Sequence, residues 1–289
     1  MALRINYNFE SISAQRNLAG TQQSFFRAIE QLSSGLRINK AGDDAAGLAV
    51  SEKLKNQVRG INQAQRNAQD AVSLLQTAEG ALNETHSLLA RMRELAVQSS
   101  NDTLTNADRL HIQDEVNQLL SEVDRISAAT QFNTIPLLKG TGSPATGMQF
   151  HVGPNNVTTA SVDEISFTIS GVSSGALAIS ALGSGATGQL SSLSFQTSAN
   201  AAIATLDTAI ETISTRRGAI GAMQNRLQST INSLGIAAEN TGAANSRIRD
   251  ADVAASVSEM VRNQILQQST MAVLAQANQA PQMALQLLK

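Results

Sequence analysis

The feature that most constrains this fold is a long heptad repeat in the first third of the chain. From Ala45 to about Ser100, small or apolar residues fill the two apolar positions of successive heptads. A repeat of this length predicts one long helix that packs along a narrow seam against partner helices. The repeat consists of Ile61, Ala64, Ala68, Ala71, Leu75, Ala78, Leu82, Thr85, Leu89, Met92 and Ala96.

Two later segments supply partner helices for this repeat. A break at residues 101–106 precedes a second helix, and Thr105 with Asp108 resembles a capping box at its start. The short connection predicts that this helix returns antiparallel to the first. Its apolar positions are Leu110, Val116, Leu119, Val123 and Ile126, and a third helix from Ala199 repeats Leu206, Ile213, Ile220, Leu227 and Leu234.

The two ends of the chain predict a further helical pair. Residues 11–36 and 246–289 each carry one apolar stripe, and Gln264 and Gln267 interrupt the second stripe. The apolar surface that such seams bury is too small to offset the conformational entropy lost when an isolated pair of helices becomes ordered. We therefore expect additional partners for these helices. The predicted assembly seam comprises Leu18, Phe25, Ile29, Leu32, Val253, Val257, Met260, Gln264, Gln267, Met271 and Leu274.

The predicted fold class is therefore mainly α: an elongated, nested, coiled-coil-like bundle with paired terminal helices and a small β-hairpin region. Asp43 or Asp44 is expected to cap the long helix after a connector at residues 33–44. Alternating residues near 149–152 and 165–169 predict one or two hairpins, followed by a flexible connection at 170–192. The expected domains are 1–44 with 246–289, 45–140 with 199–245, and 141–198.

Composition excludes several classes of function. The chain has no cysteine, a formal net charge of -2 and no polybasic run, which argues against thiolate metal sites and nucleic-acid binding. His86, His111 and His151 are far apart in sequence, so no metal or cofactor site and no enzymatic activity are predicted. The chain also shows neither a cleavable signal peptide nor a membrane-spanning segment.

Several ordered motifs give the sequence a close resemblance to bacterial flagellins. They cover roughly the first 140 and the last 90 residues, whereas the middle has no family signature beyond its β region. The motifs are ALRIN at 2–6, LSSGLRIN at 32–39, AGDDAAGLA at 41–49, SRIRDAD at 246–252, QILQQ at 264–268 and LAQANQ at 274–279.

The resemblance implies a structural subunit that polymerises into the flagellar filament outside the cell. It also implies export in an unfolded state through the flagellar type III apparatus, with an export chaperone bound to the C-terminal segment. Filament cap and hook-junction proteins are further implied partners. In this family the terminal segments pair as helices in the inner filament core, with neighbouring subunits supplying the remaining contacts.

The resemblance also implies recognition by the flagellin-sensing Toll-like receptor of a host. The relevant run is RMRELAVQ at residues 91–98, together with Glu115 on the next helix. By resemblance, Arg91, Leu95 and Glu115 are expected receptor contacts. An alternative within the same system is a hook–filament junction protein, and an alternative from another class is a secreted receptor ligand that does not polymerise.

Overall fold

The computed structural model describes residues 8–140, 147–155, 162–183 and 196–286, and confirms the mainly α fold class. The described residues of Met1–Val58 with Glu239–Lys289 form one compact unit, here called the terminal unit, and those of Arg59–Ala238 form the inner unit. The helices are α1 (Phe9–Ser34), α2 (Ala45–Ser99), α3 (Asn106–Ala129), α4 (Gln196–Arg249) and α5 (Val253–Gln286).

The core of the inner unit lies along the predicted heptad seam of α2. Every predicted position from Ile61 to Ala96 is at most 3% exposed. Helices α3 and α4 contribute Val116, Val123 and Leu206 to the same core. Leu110, however, is 54% exposed, so its predicted core position is wrong. It precedes the buried Ile112 by two residues, which places it about 200° around the helix from the core face.

Side chains cap the end of α2 and the start of α3 in the inner unit. Thr105 and Asp108 form the predicted capping box at the start of α3. The buried Arg109 donates to the carbonyl oxygens of Ser99 and Asn101, both at 3.1 Å. These bonds satisfy carbonyl groups at the end of α2 that have no partner within the helix, which fixes the turn into α3.

The described part of the inner unit contains two antiparallel hairpins. The first pairs β1 (Gln131–Phe132) with β2 (Ile135–Pro136), and Asn133 and Thr134 adopt positive φ in its two-residue turn. The second pairs β3 (Met148–His151) with β4 (Glu164–Phe167), as the alternating pattern predicted.

The segment after β4 is packed against the bundle as far as it is described. Val172 and Ile179 are fully buried, and Ser174 donates through its backbone N and its Oγ to the carboxylate of Asp124. The prediction of a flexible connection is therefore wrong for residues 170–183, because unevenly spaced aliphatic residues among the serines and glycines fill the core. Residues 184–192 of that prediction lie outside the described part of the chain.

The last helix of the terminal unit begins later than predicted. Helix α4 continues through Gly235 and Gly242 to Arg249, so residues 246–249 belong to α4. Two separated helical glycines cost only about 1 kcal/mol each relative to alanine, which the rest of a long helix can offset. Helix α5 starts at Val253 because the Asp252 carboxylate accepts hydrogen bonds from the backbone N of Ala254 and of Ala255.

Candidate functional site

The candidate site is the antiparallel pair formed by α1 and α5. At one end, the Asn8 side chain accepts a bond from Ser11 N and donates through Nδ2 to the carbonyl of Ala277 at 2.8 Å. Ser11 Oγ donates to Asn278 Oδ1 at 2.8 Å. At the other end, Leu36 forms an antiparallel bridge with Asp250. The pair is therefore held by hydrogen bonds at both ends.

The chain segments that follow α1 and α4 are joined by backbone hydrogen bonds. Arg37 N donates to Arg249 O at 2.7 Å, and Ala251 N donates to Gly35 O at 2.9 Å. The Arg37 guanidinium also donates to Ile248 O at 2.6 Å. This cation lies at the C-terminus of α4, where it satisfies a terminal carbonyl and opposes the negative end of the helix dipole. Gly35 permits the crossing because its φ of 70° is left-handed.

The buried seam of the pair has strict heptad spacing but few large apolar side chains. Its buried and half-buried positions alternate in steps of three and four on both helices. Most of the fully buried members are small or polar, so the seam permits close approach of the helices without much apolar burial. The seam comprises Ser11, Ala14, Leu18, Thr21, Phe25, Ala28 and Leu32 of α1, and Ser256, Met260, Asn263, Gln267, Thr270, Leu274 and Ala277 of α5.

The predicted assembly seam divides into two groups around this observed seam. Leu18, Phe25, Leu32, Met260, Gln267 and Leu274 lie on it. Ile29, Val253, Val257, Gln264 and Met271 are exposed instead. Four of this second group each lie one residue beyond a seam position: Ala28, Ser256, Asn263 or Thr270. The seven-residue period of the seam was predicted from the sequence. The small and polar seam residues were missed because the predicted apolar stripe was placed on their larger apolar neighbours.

Large apolar side chains on both helices face outward. We call this group the outer apolar residues; their exposed fractions range from 37% at Val257 to 70% at Phe9. Such a concentration on one helical pair is typical of a surface that another molecule covers. The group comprises Phe9, Ile12, Phe26 and Ile29 of α1, and Val253, Val257, Val261, Ile265, Leu266, Met271 and Val273 of α5.

The expected receptor residues lie in the inner unit. Arg91 of α2 is bonded at 2.9 Å to Glu115 of α3 and at 3.1 Å to Glu94, and all three side chains are substantially exposed. The hydrogen bond that Arg91 donates to Glu115, followed by the one that it donates to Glu94, raises the pKa of Arg91 above its ordinary value. Leu95 is only 2% exposed, because it lies beside the heptad position Ala96 and widens the core seam. The Leu95 side chain therefore packs in the core beneath the exposed side chains of Arg91, Glu94 and Glu115.

Two further features bear on function in the described residues: metal-binding groups and membrane-spanning helices. Within these ranges, no three His, Asp or Glu side chains converge as a metal site. None of the helices in the described part of the chain is long and apolar enough to cross a membrane. The geometry thus defines a mainly helical protein whose terminal helices leave large apolar side chains uncovered.

Comparisons with known proteins specify the family. The N-terminal helical region of bacterial flagellin matches residues 5–143, and the C-terminal helical region matches residues 203–288. Flagellin of Halalkalibacterium halodurans is 46% identical over 285 residues, which cover 99% of both chains. Flagellin of Bacillus subtilis is 43% identical over 306 residues, covering 99% of this chain and 100% of that one.

A solved structure shares the fold. A Vibrio parahaemolyticus protein described as flagellar hook-associated superposes with a TM-score of 0.57 at 14% identity, covering 72% of this chain and 100% of that one. The chain belongs to the bacterial flagellin family. It is accordingly a structural subunit of the bacterial flagellar filament, in a family of structural proteins rather than enzymes.

Proposed function

We propose that the outer apolar residues of α1 and α5 are the surface through which neighbouring copies pack when the filament forms. The observation that carries this proposal is the division of side chains within α5. Small and polar residues such as Ser256 and Asn263 face α1, whereas Val257, Ile265 and Met271 face outward. Complete burial of an exposed aliphatic side chain contributes about 1.5–3 kcal/mol. These three are 37–60% exposed, so each can add roughly half of that to a contact, and the outer surface can supply what the inner seam lacks.

The two groups of the predicted assembly seam then have different roles. Leu18, Phe25, Leu32, Met260, Gln267 and Leu274 hold α1 against α5 within one copy. Ile29, Val253, Val257, Gln264 and Met271 contact other copies. The terminal unit thereby forms the inner filament core. The helical bundle of residues 45–140 with 199–245 and the region 141–198 make up the remainder of the proposed subunit.

A double substitution on the outer surface tests this assignment. Val257→Thr with Met271→Gln keeps the size of both side chains and removes their apolar character. We expect the critical concentration for growth from filament fragments to rise at least about tenfold, because that factor corresponds to about 1.4 kcal/mol. The measurement is sedimentation of seeded samples, with electron microscopy of the pellets.

The matched control retains apolar side chains at the same positions. Val257→Ile with Met271→Leu should grow filaments at a critical concentration within about twofold of the unmodified chain, since both swaps keep the side chains apolar and change their volume by at most about one methylene group. Equal growth of the polar and apolar double variants would contradict the proposal. An unmodified chain that never elongates seeds would instead favour a secreted, non-polymerising ligand. A hook–filament junction protein would differ from a bulk subunit in its much lower cellular abundance.

We further propose that the chain leaves the cell unfolded through the flagellar type III apparatus, with an export chaperone on the C-terminal segment. The exposed side chains of α5 support this, because an apolar helix that awaits assembly needs a transient cover. Filament cap and hook-junction proteins are the proposed partners at the two filament ends. Loss of chaperone co-purification on deleting residues 253–286, with retention on deleting 162–183, would be the expected result.

A second proposed activity is recognition of the free subunit by the flagellin-sensing Toll-like receptor. The exposed charges of Arg91, Glu94 and Glu115 support a polar contact surface on the inner unit. Arg91→Glu should abolish signalling by the monomer. The double variant Arg91→Glu with Glu115→Arg restores opposite charges for the internal pair, so it separates loss of fold from loss of recognition. Normal signalling by the double variant would show that the receptor does not read this charge pattern.

A further inference from the structure

The segment between α1 and α2, residues 35–44 and here called the joint segment, is closed by the carboxylate of Asp43. Asp43 Oδ2 accepts hydrogen bonds from the backbone N of Asn39 at 3.2 Å and from that of Lys40 at 3.0 Å. The backbone N of Asp43 donates in turn to Lys40 O at 3.0 Å. Bonds from N–H groups to an ionised carboxylate are about twice as strong as bonds between neutral groups. The charge of Asp43 therefore holds this part of the joint segment in one compact turn.

Asp43 and Asp44 make separate contacts, although either was expected to cap α2. Asp44 provides the cap, because its Oδ1 accepts a hydrogen bond from Gly47 N at 2.8 Å. Asp43 contacts α1 instead: its Oδ1 lies 3.4 Å from Nη2 of Arg27, and only 20% of its side chain is exposed. The carboxylate that closes the joint segment is thus also paired with a cation of α1.

The two residues that donate to Asp43 through their backbone bind α1 through their side chains. Lys40 Nζ lies 2.8 Å from each carboxylate oxygen of Glu30. Asn39 Nδ2 donates to Ser34 Oγ at 2.8 Å. Glu30 and Ser34 both lie near the C-terminal end of α1. One carboxylate consequently determines where two side chains of the joint segment meet α1.

We propose that Asp43 is a positioning residue of the filament subunit, whose negative charge locks the joint segment against α1 and fixes the direction in which α1 meets α2. Without this charge, two backbone donors and Arg27 lose their acceptor, so the joint segment can change its conformation. A stiff joint matters to a structural subunit because mechanical load passes between the two helices along this segment. The proposal concerns contacts within one copy, so it is independent of the packing of copies on the outer apolar residues.

Hydrogen exchange at the backbone N of Asn39 and of Lys40, here called the joint amides, tests the lock. Asp43→Asn keeps the shape of the side chain and removes the charge, so at neutral pH both joint amides should exchange at least about tenfold faster. The matched control is Asp44→Asn, which preserves a helix cap and should leave the joint amides within about twofold of the unmodified chain. Equal exchange in Asp43→Asn and the unmodified chain, or equal acceleration by Asp44→Asn, would overturn the assignment.

The exchange measurement uses the full-length chain, both free and in filaments grown from seeds. Failure of the unmodified chain to elongate seeds would refute the packing on the outer apolar residues, whereas the comparison in the free chain would still decide the role of Asp43. Joint amides that exchange at the rate of an unstructured peptide in every state of the unmodified chain would overturn the lock.

The folded joint segment favours the ionised form of Asp43. The bond from the backbone N of Lys40 is the largest cause that holds the pKa of Asp43 below its ordinary value of 3.8. Burial opposes this bond, and the bond from Asn39 and the charges of Arg27 and Lys40 lower the pKa further. A carboxyl of this kind stabilises the folded segment above its ordinary pKa, and the contribution is lost as pH falls through the lowered folded value.

A pH profile of exchange therefore separates the charge of Asp43 from its size and shape. Protection of the joint amides, relative to an unstructured amide at the same pH, should be complete at neutral pH and begin to fall near 3.8. Asp43→Asn should show no such decline, whereas Glu30→Gln and Asp44→Asn, which alter the other carboxylates nearby, should retain it. A decline of equal size in Asp43→Asn would overturn the role assigned to the charge.

Discussion

Individual apolar residues of the inner unit differ sharply in what they contribute to stability, and two leucines show the contrast. Leu89 is fully buried on the α2 seam, whereas Leu110 is 54% exposed on α3. Leu89→Ala should lower the free energy of unfolding by about 2–5 kcal/mol, through lost burial and the cavity left behind. Leu110→Ala should change it by less than about 0.5 kcal/mol. Urea denaturation followed by circular dichroism compares them, and similar losses in both would contradict the assigned core.

Asp108 gives the capping box of α3 a defined response to pH. Hydrogen bonds from Thr105, first from its hydroxyl and then from its backbone N, hold the pKa of Asp108 below its ordinary value of 3.8. A carboxyl whose pKa is lowered by folding stabilises the native state above its unfolded pKa, and this contribution disappears as pH falls through the folded value. The stabilisation is therefore complete at neutral pH, begins to fall near the ordinary value of 3.8 and disappears below the lowered folded value.

We expect Asp108→Asn to be less stable than the unmodified chain at pH 7, with the difference shrinking as pH falls from about 4 to 2. Thermal unfolding at a series of pH values measures this difference. Glu239→Gln, an exposed carboxylate change on α4, is the control and should show no comparable convergence. A constant gap across the acid range would show that Asp108 acts through something other than its charge.

Residue-level prediction from sequence succeeded where apolar character and burial coincide. The α2 repeat is such a case, because every predicted position is buried. On α5 the two properties separate: Asn263 is buried, whereas Gln264 and Met271 are exposed. A stripe drawn through apolar residues is then displaced by one position, because it cannot distinguish packing within the chain from packing between copies. The strict seven-residue spacing of Ser256, Asn263, Thr270 and Ala277 was the available signal.

At the level of elements, the crossing of the segments after α1 and α4 depends on Arg37. Its guanidinium closes the C-terminus of α4 on Ile248 O, while its backbone N bonds Arg249 O. Arg37→Met keeps the apolar stem and removes the charge, so the local contribution lost is at most about 1 kcal/mol for this exposed group. Hydrogen exchange at Asp250 and Ala251 should accelerate several-fold. Arg16→Met, an exposed change on α1, should leave those two amides unaffected.

The sequence predicted element types better than it predicted element boundaries. The α2 limits agree within a residue, since capping by Asp44 and the heptad phase both act locally. The α4/α5 boundary was misplaced because Gly235 and Gly242 are tolerated inside a long helix, and the Asp252 cap decides the start of α5. Packing of Val172 and Ile179 was missed because core contacts between distant segments leave no periodic signature in a Ser/Gly/Ala-rich run.

At the scale of the whole chain, the two units are expected to respond differently to loss of the C-terminus. Deleting residues 272–289 removes Leu274 and Ala277 from the seam, and with them the bond between Asn8 and Ala277. The core of the inner unit includes none of these residues. Its cooperative unfolding transition should therefore keep its midpoint in urea within error. Elongation of seeds should be abolished, because both the helix pair and part of the outer surface are gone.

A full-length variant with substitutions separates the loss of the helix pair from the loss of the outer surface. Leu274→Ser with Ala277→Ser weakens the seam but leaves Val257, Ile265 and Met271 in place, so elongation should slow without disappearing. The measurement is seeded growth followed by light scattering and electron microscopy, alongside circular dichroism of the inner-unit transition. If the truncated chain elongated seeds normally, the terminal pair would not be the assembly element. If truncation also shifted the inner-unit transition, the folding of the two units would be coupled in the free chain.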